Sequence, residues 1–326
     1  MSTPNQPTSL QEAILYFADF DNCQRFMIDL RWRDGKVRCP YCGSEKVTFL
    51  ANARLWKCYG DHPKAKFSLK VGTIFEDSPI GLDKWFTALW LIVNCKNGVS
   101  SYEIARDLGI SQKSAWHMMH RLRFALHSGS FGKPPGGGKL SGHVEVDETF
   151  IGGKARNMHA TKRVEKIQGR GAVGKTVVMG ILQRGGKVRA TVINDREKDT
   201  LQPIVRQHVR KGSHVYTDEL VSYWGLDEHY VHQIINHAEA YVQGRVHTNG
   251  LENFWSLLKR GLNGTYVAVE PFHLFRYIDE QAFRFNNRTD MNDFDRFKLA
   301  ASQVIGRRLT WNEVTGKDQD SATPVN

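Results

Sequence analysis

Residues 143 to 157 read HVEVDETFIGGKARN, and this stretch limits the fold more than any other. Alternating apolar side chains predict a β-strand, with Val144, Val146 and Phe150 on one face beside Glu148, and Glu145, Asp147 and Thr149 on the other. Carboxylates are expensive to bury unless they are paired or bind a metal. A strand that is otherwise apolar and yet holds three acids belongs in a sheet that delivers charge to a working site. Asp147, on the polar face, is the candidate.

The chain downstream supplies the rest of such a sheet. KTVVMGILQR and KVRATVIND are β-rich runs joined by Gly185 and Gly186, a hairpin signal. KDTLQPIVRQHV reads as a helix, SHVYTDEL as a short strand ending at Asp218, and YVHQIINH as another strand. The order is three strands, helix, strand, helical turn, strand, helix. It predicts an α/β fold, an RNase H-like mixed sheet with flanking helices, in which a central strand and its neighbour each bring a carboxylate to one edge. The next helix, HTNGLENFWSLLKRGLNGTY, carries Glu252 and, two turns further along the same side, Lys259. Leu251, Phe254, Trp255 and Leu258 form its packing side. A following helix, PFHLFRYIDEQAFRFNNR, is expected to pack Phe272, Phe275, Ile278, Ala282 and Phe285 and to offer His273, Arg276 and Arg284 to DNA.

Cysteine usage points to a metal. Five cysteines are an odd number for a chain whose N-terminus lacks the basic start and apolar core of a signal peptide, so disulfides are not expected. Cys39 and Cys42 form a C-x-x-C knuckle turned by Pro40 and Gly43, and Cys58 and His62 follow at C-x-x-x-H spacing. These four donors suit one tetrahedral, structural Zn2+ in a zinc ribbon, with Asp61 as the competing fourth ligand. Cys23 and Cys95 lie in apolar helical contexts and read as packing.

Between ribbon and sheet, LDKWFTALWLIVNCKNGVS has the spacing of a core helix, and SSYEIARDLGISQKSAWHMMHRLRFAL reads as helix, turn, helix, with Ser111 capping the second. In a DNA-binding helix-turn-helix, Gln112, Lys113, Ser114, Trp116 and His117 would begin the recognition helix, while His120, Arg121 and Arg123 would reach phosphates. Residues 128 to 142 hold six glycines and two prolines and read as a flexible linker. The expected organisation is a helical segment at 1–30, the zinc ribbon at 31–76, the helix-turn-helix at 79–128, the linker at 129–142, the catalytic domain at 143–290, and a C-terminal helix and tail at 291–326. A net charge of +11 favours a polyanionic partner, nucleic acid before membrane. No run of eighteen apolar residues occurs, and a cytoplasmic, nucleoid-associated protein is expected.

The loop after the first acidic strand, residues 154 to 175, holds seven Lys or Arg against Glu165 alone. Lys154, Arg156, Lys162, Arg163, Lys166, Arg170 and Lys175 would grip DNA phosphates in a salt-dependent way. GRGAVGKT, Gly169 to Thr176, satisfies a phosphate-loop pattern, but a charged segment precedes it and a β-hairpin follows, so no nucleotide cofactor is expected.

CPYCGS, FSLKVGTIFEDSPIGLDKWF, VEVDETFIGGK, VYTDE, HTNGLENFWSLLKRGLNGTY and YIDEQAFRFNNR together resemble bacterial insertion-sequence transposases of the ISXO type over nearly the whole chain. The resemblance implies a DDE core of Asp147, Asp218 and Glu252 with Lys259 as the accompanying basic residue, expected to contact a phosphate. Asn249 or Asn253 is a rival third ligand, since some relatives carry asparagine at that place. It implies two Mg2+ or Mn2+ ions, cleavage and strand transfer by direct transesterification, and double-stranded DNA partners, namely the element's terminal inverted repeats and the target. It also implies at least a homodimer on DNA. A DNA-binding regulator with a silent domain, and a nuclease without strand transfer, are the competing readings.

Overall fold

The computed structural model describes residues 6–127, 138–152, 174–235 and 247–317, and the chain divides into two compact units at residues 126 and 288. The first unit opens with α1 (Leu10–Ala18) and α2 (Phe20–Arg31), whose N-termini are closed by Ser9 and Asp19 accepting from backbone N–H groups. A three-stranded antiparallel ribbon follows, β1 (Val47–Leu50), β2 (Leu55–Cys58) and β3 (Lys66–Phe67). Next come α3 (Leu82–Asn94), α4 (Ser101–Leu108) and α5 (Gln112–Leu126). Ser100 and Glu103 form a reciprocal capping box on α4, Gly109 ends it at φ 58°, and the Ser111 hydroxyl accepts from Ser114 N at 3.1 Å to start α5.

Both ends of the chain build this unit. The helix Asp293–Ser302 lies against α3 and inserts Phe297 into a ring cluster, 5.3 Å from Phe26, 5.4 Å from Phe17 and 6.0 Å from Phe86 between centroids. Rings at these spacings add edge-to-face and offset contacts to the area they bury. A short helix, Trp311–Thr315, packs on α5. The residues after 288 therefore complete the first unit.

The second unit is a mixed sheet in the order β6-β5-β4-β7-β8. Its strands are β4 (His143–Ile151), β5 (Thr176–Gln183), β6 (Val188–Ile193), β7 (His214–Thr217) and β8 (Val231–Ile234). β4 runs antiparallel to β5, and β5 to β6, while β7 is parallel to β4 and β8 to β7, the RNase H-like arrangement. The β5–β6 hairpin turns at Gly185, which sits at φ +68°, and Gly186. Helix α6 (Lys198–His208) covers one face, burying Val144, Val146, Met179 and Ile181 with Leu201, Val205 and Tyr223. Helices α7 (Asn249–Arg260) and α8 (Leu274–Asn286) cover the other, against Val178 and Leu182.

Three expectations need correcting here. The β4 face that reads as polar is covered by α7, so Glu145 and Thr149 are buried. Leu140 is no linker residue: it is buried, its N–H donates to His208 O, and its carbonyl accepts from Arg210 N, both at 2.8 Å. Along α8, Arg276 and Arg284 are buried, Arg284 against the fully buried Glu280, whereas Phe272 and Phe275 are exposed. The helix presents Leu274, Tyr277, Ile278, Ala282 and Phe285 to the core, so Ile278, Ala282 and Phe285 pack as anticipated while Leu274 and Tyr277 take the places expected of Phe272 and Phe275.

Candidate active site and metal centre

In the first unit the C-x-x-C knuckle and the Cys58–His62 turn face each other. The donor atoms of Cys39, Cys42, Cys58 and His62 all lie within 4.8 Å of one another. Cys39 Sγ is 3.3 Å from His62 Nε2, and the Cys42 and Cys58 sulfurs are 3.6 Å apart. Gly43, at φ +73°, donates its N–H to Cys39 O, and Gly60 N–H points at Cys58 Sγ from 3.2 Å. A Cβ on Gly60 would stand 2.9 Å from the Cys42 sulfur, so the turn is shaped around the thiolates. Three sulfurs and one imidazole are the chemistry of a closed, structural zinc. His62, not Asp61, completes the set.

In the second unit Asp147 lies mid-strand on β4, opposite Gly180 of β5. A Cβ at Gly180 would be 2.6 Å from the Trp255 ring, so the missing side chain is what lets α7 close on the strand. Trp255 Nε1 then donates to Asp147 Oδ2 at 2.9 Å, and Glu148 N to Asp147 Oδ1 at 2.9 Å. Glu145 pairs with Tyr216 across the parallel β4–β7 ladder, and extending that register by two residues sets Asp218 level with Asp147. Asp218 Oδ1 accepts from Leu220 N at 3.1 Å. Glu252 stands exposed in the first turn of α7, with the Thr248 hydroxyl donating to it at 3.4 Å, and Lys259 is exposed in the last turn.

Burial pushes the Asp147 carboxyl up to about 6; the charges of Asp218 and Glu252 add to this, and the bonds from Trp255 and Glu148 N oppose it. Asp218 and Glu252 are thus each within electrostatic reach of Asp147. The donor atoms of the three acids are not gathered as closely as the cysteines: among the described residues, the Cys39–His62 cluster is the only group of three or more candidate ligands mutually within 4.8 Å.

Three side chains around Asp147 escaped the sequence reading. Glu148, on the opposite face of β4, receives the Tyr223 hydroxyl; burial pushes its carboxyl up to about 8, with Asp218 and Asp147 adding and Arg196 opposing. Its signal was an acid on the Val144–Val146–Phe150 face. Glu145, 1% exposed, accepts from Arg184 Nε at 2.8 Å and from Leu251 N at 3.0 Å, tying β4 to the first turn of α7. Trp255 was read as packing alone, and nothing in sequence spacing distinguishes a packing indole from one that also donates.

The recognition-helix residues are only partly accessible. Gln112 donates to Ser101 Oγ at 3.1 Å, and Ser114 is half-buried. The Lys113 ammonium lies 4.6 Å over the Trp311 ring, with Trp116 and His117 at 5.7 and 5.4 Å from that ring. Arg121 and Arg123 are buried, as is His120, which overturns their assignment to phosphates. Arg121 instead donates to Glu76 O and stacks 5.3 Å over Trp85, and burial pushes its guanidinium down to about 10. The amphipathic pattern hid this, because helix α5 is covered on the side opposite its apolar stripe as well. Lys175 is exposed beside Gly152. Lys154, Arg156, Lys162, Arg163, Lys166 and Arg170 lie outside the described residues. Among the described residues no helix is long and apolar enough to cross a membrane.

Comparison with known proteins agrees with this anatomy. Residues 139–286 match the ISXO2-like transposase domain, and residues 19–60 match a transposase zinc-ribbon domain. An uncharacterized protein in transposable element ISH50 of Halobacterium salinarum is 27% identical over 249 residues, covering 73% of this chain and 81% of that protein. An uncharacterized transposase-like protein of Haemophilus influenzae is 36% identical over 102 residues, 31% of this chain and 82% of that protein. No solved structure matches. With an acid-bearing mixed sheet in one unit and a Cys3His ribbon in the other, the chain belongs to the family of ISXO2-like transposases.

Proposed function

We propose that the protein binds the ends of an insertion sequence, cleaves DNA there, and joins the freed end to a target by direct transesterification. The observation that carries this reading is that Asp147 feels the charges of both Asp218 and Glu252, acids from three separate elements. Such a concentration of negative charge suits a divalent cation, and hard carboxylate oxygens suit Mg2+ or Mn2+. Asp147, Asp218 and Glu252 would hold two ions, which when bound activate the attacking oxygen and stabilise the leaving 3′ oxygen.

The chain's own groups do the rest. Asp147 is the fixed member, because Trp255 and Glu148 N each engage one of its oxygens and set the plane of the carboxylate. Leu220 N holds Asp218 through Oδ1, leaving Oδ2 to serve as a ligand. Glu252, exposed in the first turn of α7, would complete the set as the third ligand. Lys259 contacts a phosphate on the same side of that helix. Lys113 and Lys175, both exposed, add salt-dependent contacts to duplex DNA, together with the basic residues between 154 and 170.

The test is an in vitro reaction with labelled element ends, Mg2+ and a target plasmid. Joined products support the reading. Cut ends without joining point to a nuclease, and retention without cutting to a regulator. Asp147→Ala is expected to keep end binding and abolish cleavage; cutting at the parental rate by that variant overturns the assignment.

A further inference from the structure

In the first unit Trp311 lies against Lys113, Trp116 and His117 of α5, and the ribbon carries a dense set of exposed cations, Arg33, Lys36, Lys46, Arg54, Lys64 and Lys66. Residues 33–67 hold eight Lys or Arg against three acids. All three acids are exposed, but two of them, Asp34 and Glu45, are ion-paired to Arg38, with Asp61 the third. Glu76 and Asp77, whose charges reach Tyr41, are engaged by Gly72 N and Arg308.

Two tyrosines stand out of this basic surface. Tyr41, 39% exposed, sits inside the Cys39–Cys42 knuckle, and Tyr59, 58% exposed, follows Cys58 directly. The 3.6 Å between Cys42 and Cys58 sulfurs brings the two knuckles, and with them the two rings, to one end of the ribbon. Each ring has a lysine over its face: Lys64 Nζ is 5.0 Å from the centroid of Tyr41, and Lys57 Nζ is 4.9 Å from that of Tyr59. The backbones beneath are held, Tyr59 N donating to Lys46 O at 3.0 Å and the Tyr41 ring lying 5.6 Å from His62. An exposed aromatic on a rigid knuckle contributes little to a core. It is a preformed plane beside mobile positive charge, the combination that holds unpaired bases by stacking and their phosphates by charge. A duplex hides its base faces, so the match is to unpaired strands.

We propose that the two zinc knuckles form a stacking surface for unpaired nucleotides of DNA, with Tyr41 and Tyr59 as the planes. A base displaces each ammonium from its ring, and Lys64 and Lys57 swing to the adjoining phosphates. This surface is independent of the carboxylate site and of its chemistry.

The test uses the full chain loaded with zinc and fluorescence anisotropy on a labelled single-stranded oligonucleotide and on the duplex of the same sequence. Replacing Tyr41 and Tyr59 together by Ala is expected to weaken single-strand binding at least ~10-fold while changing duplex binding less than ~3-fold, and replacing both by Phe is expected to retain single-strand binding. One zinc per chain and an unshifted melting curve confirm that the Ala variant is folded. If it is not folded, Lys57→Ala with Lys64→Ala serves instead, and should lower the salt slope of single-strand binding by about 1.4. Single-strand affinity within ~2-fold of the parent in the folded Ala variant, an equal loss on both DNAs, or an unchanged salt slope in the lysine variant overturns the proposal.

Discussion

Replacing Gly180 by Ala tests how the helix bearing Glu252 is set against the strand bearing Asp147. The new Cβ would lie 2.6 and 2.8 Å from two atoms of the Trp255 benzo ring and 2.9 Å from Leu251 Cδ2. Trp255 is 4% exposed and packs 5.1 Å from Phe254, so it has little room to retreat. Ala would gain ~0.5–1 kcal/mol over Gly in strand propensity, while overpacking costs about 1–3 kcal/mol. A net loss near 1–2 kcal/mol is expected, read by urea unfolding of the full chain. Moving Trp255 also pulls its N–H from Asp147 Oδ2, so cleavage should fall further than end binding. The control is a double-mutant cycle. Trp255→Phe removes the two closest of the three colliding atoms, leaving Leu251 Cδ2, so Gly180→Ala should cost at least ~1 kcal/mol less in that background than in the parent. Additivity of the two substitutions within ~0.5 kcal/mol would refute the close-approach argument.

Other perturbations follow from particular contacts. His208 is buried and accepts from Arg189 Nη1 at 2.9 Å, and burial, with the Arg189 and Lys139 charges, pushes its pKa down from 6.5 to about 4. The native state therefore resists a proton that the unfolded chain takes up; stability is intact above pH 6.5, falls as pH drops toward 4 by up to about 3 kcal/mol, and levels off below. His208→Gln should flatten that part of the curve in urea titrations across this range, and an unchanged pH profile would count against it. Val267 sits at φ +59°, a conformation costly for a β-branched residue, and it is exposed, so Val267→Gly should raise the melting temperature through a gain of about 1 kcal/mol. Stripping zinc with a strong chelator, or Cys42→Ala, should unfold the ribbon, seen as loss of protection from proteolysis over residues 33–67, because besides the ligand cysteines only Val37 and Phe67 are buried there, backed by the partly buried Ile28, Trp32, Val47, Trp56 and Val71.

The mixed sheet was readable because its strands carry period-two patterning, a double-glycine hairpin and a connecting helix in an order that few folds accommodate. The zinc donors were readable because four ligands at knuckle spacing leave little else to do. Burial was harder. Arg121 and Arg284 have the composition of a DNA surface, yet Arg121 is drawn inside by Glu76 and Trp85, remote in sequence, and Arg284 by Glu280, one turn away and fully buried. Likewise Glu145 and Glu148 look alike along the strand. Only the helix over one face and Tyr223 on the other reveal that one ties down α7 while the other lies beside Asp147 and Asp218.

Because Phe297 joins the ring cluster formed by Phe17, Phe26 and Phe86, the segment translated before the sheet waits for one translated after it before their unit can close. The acid-bearing sheet, lying wholly between those two segments, is free to fold in the interval. A message cut short after that sheet would thus yield polypeptide with a folded second unit and an unfinished first one, prone to aggregation or proteolysis.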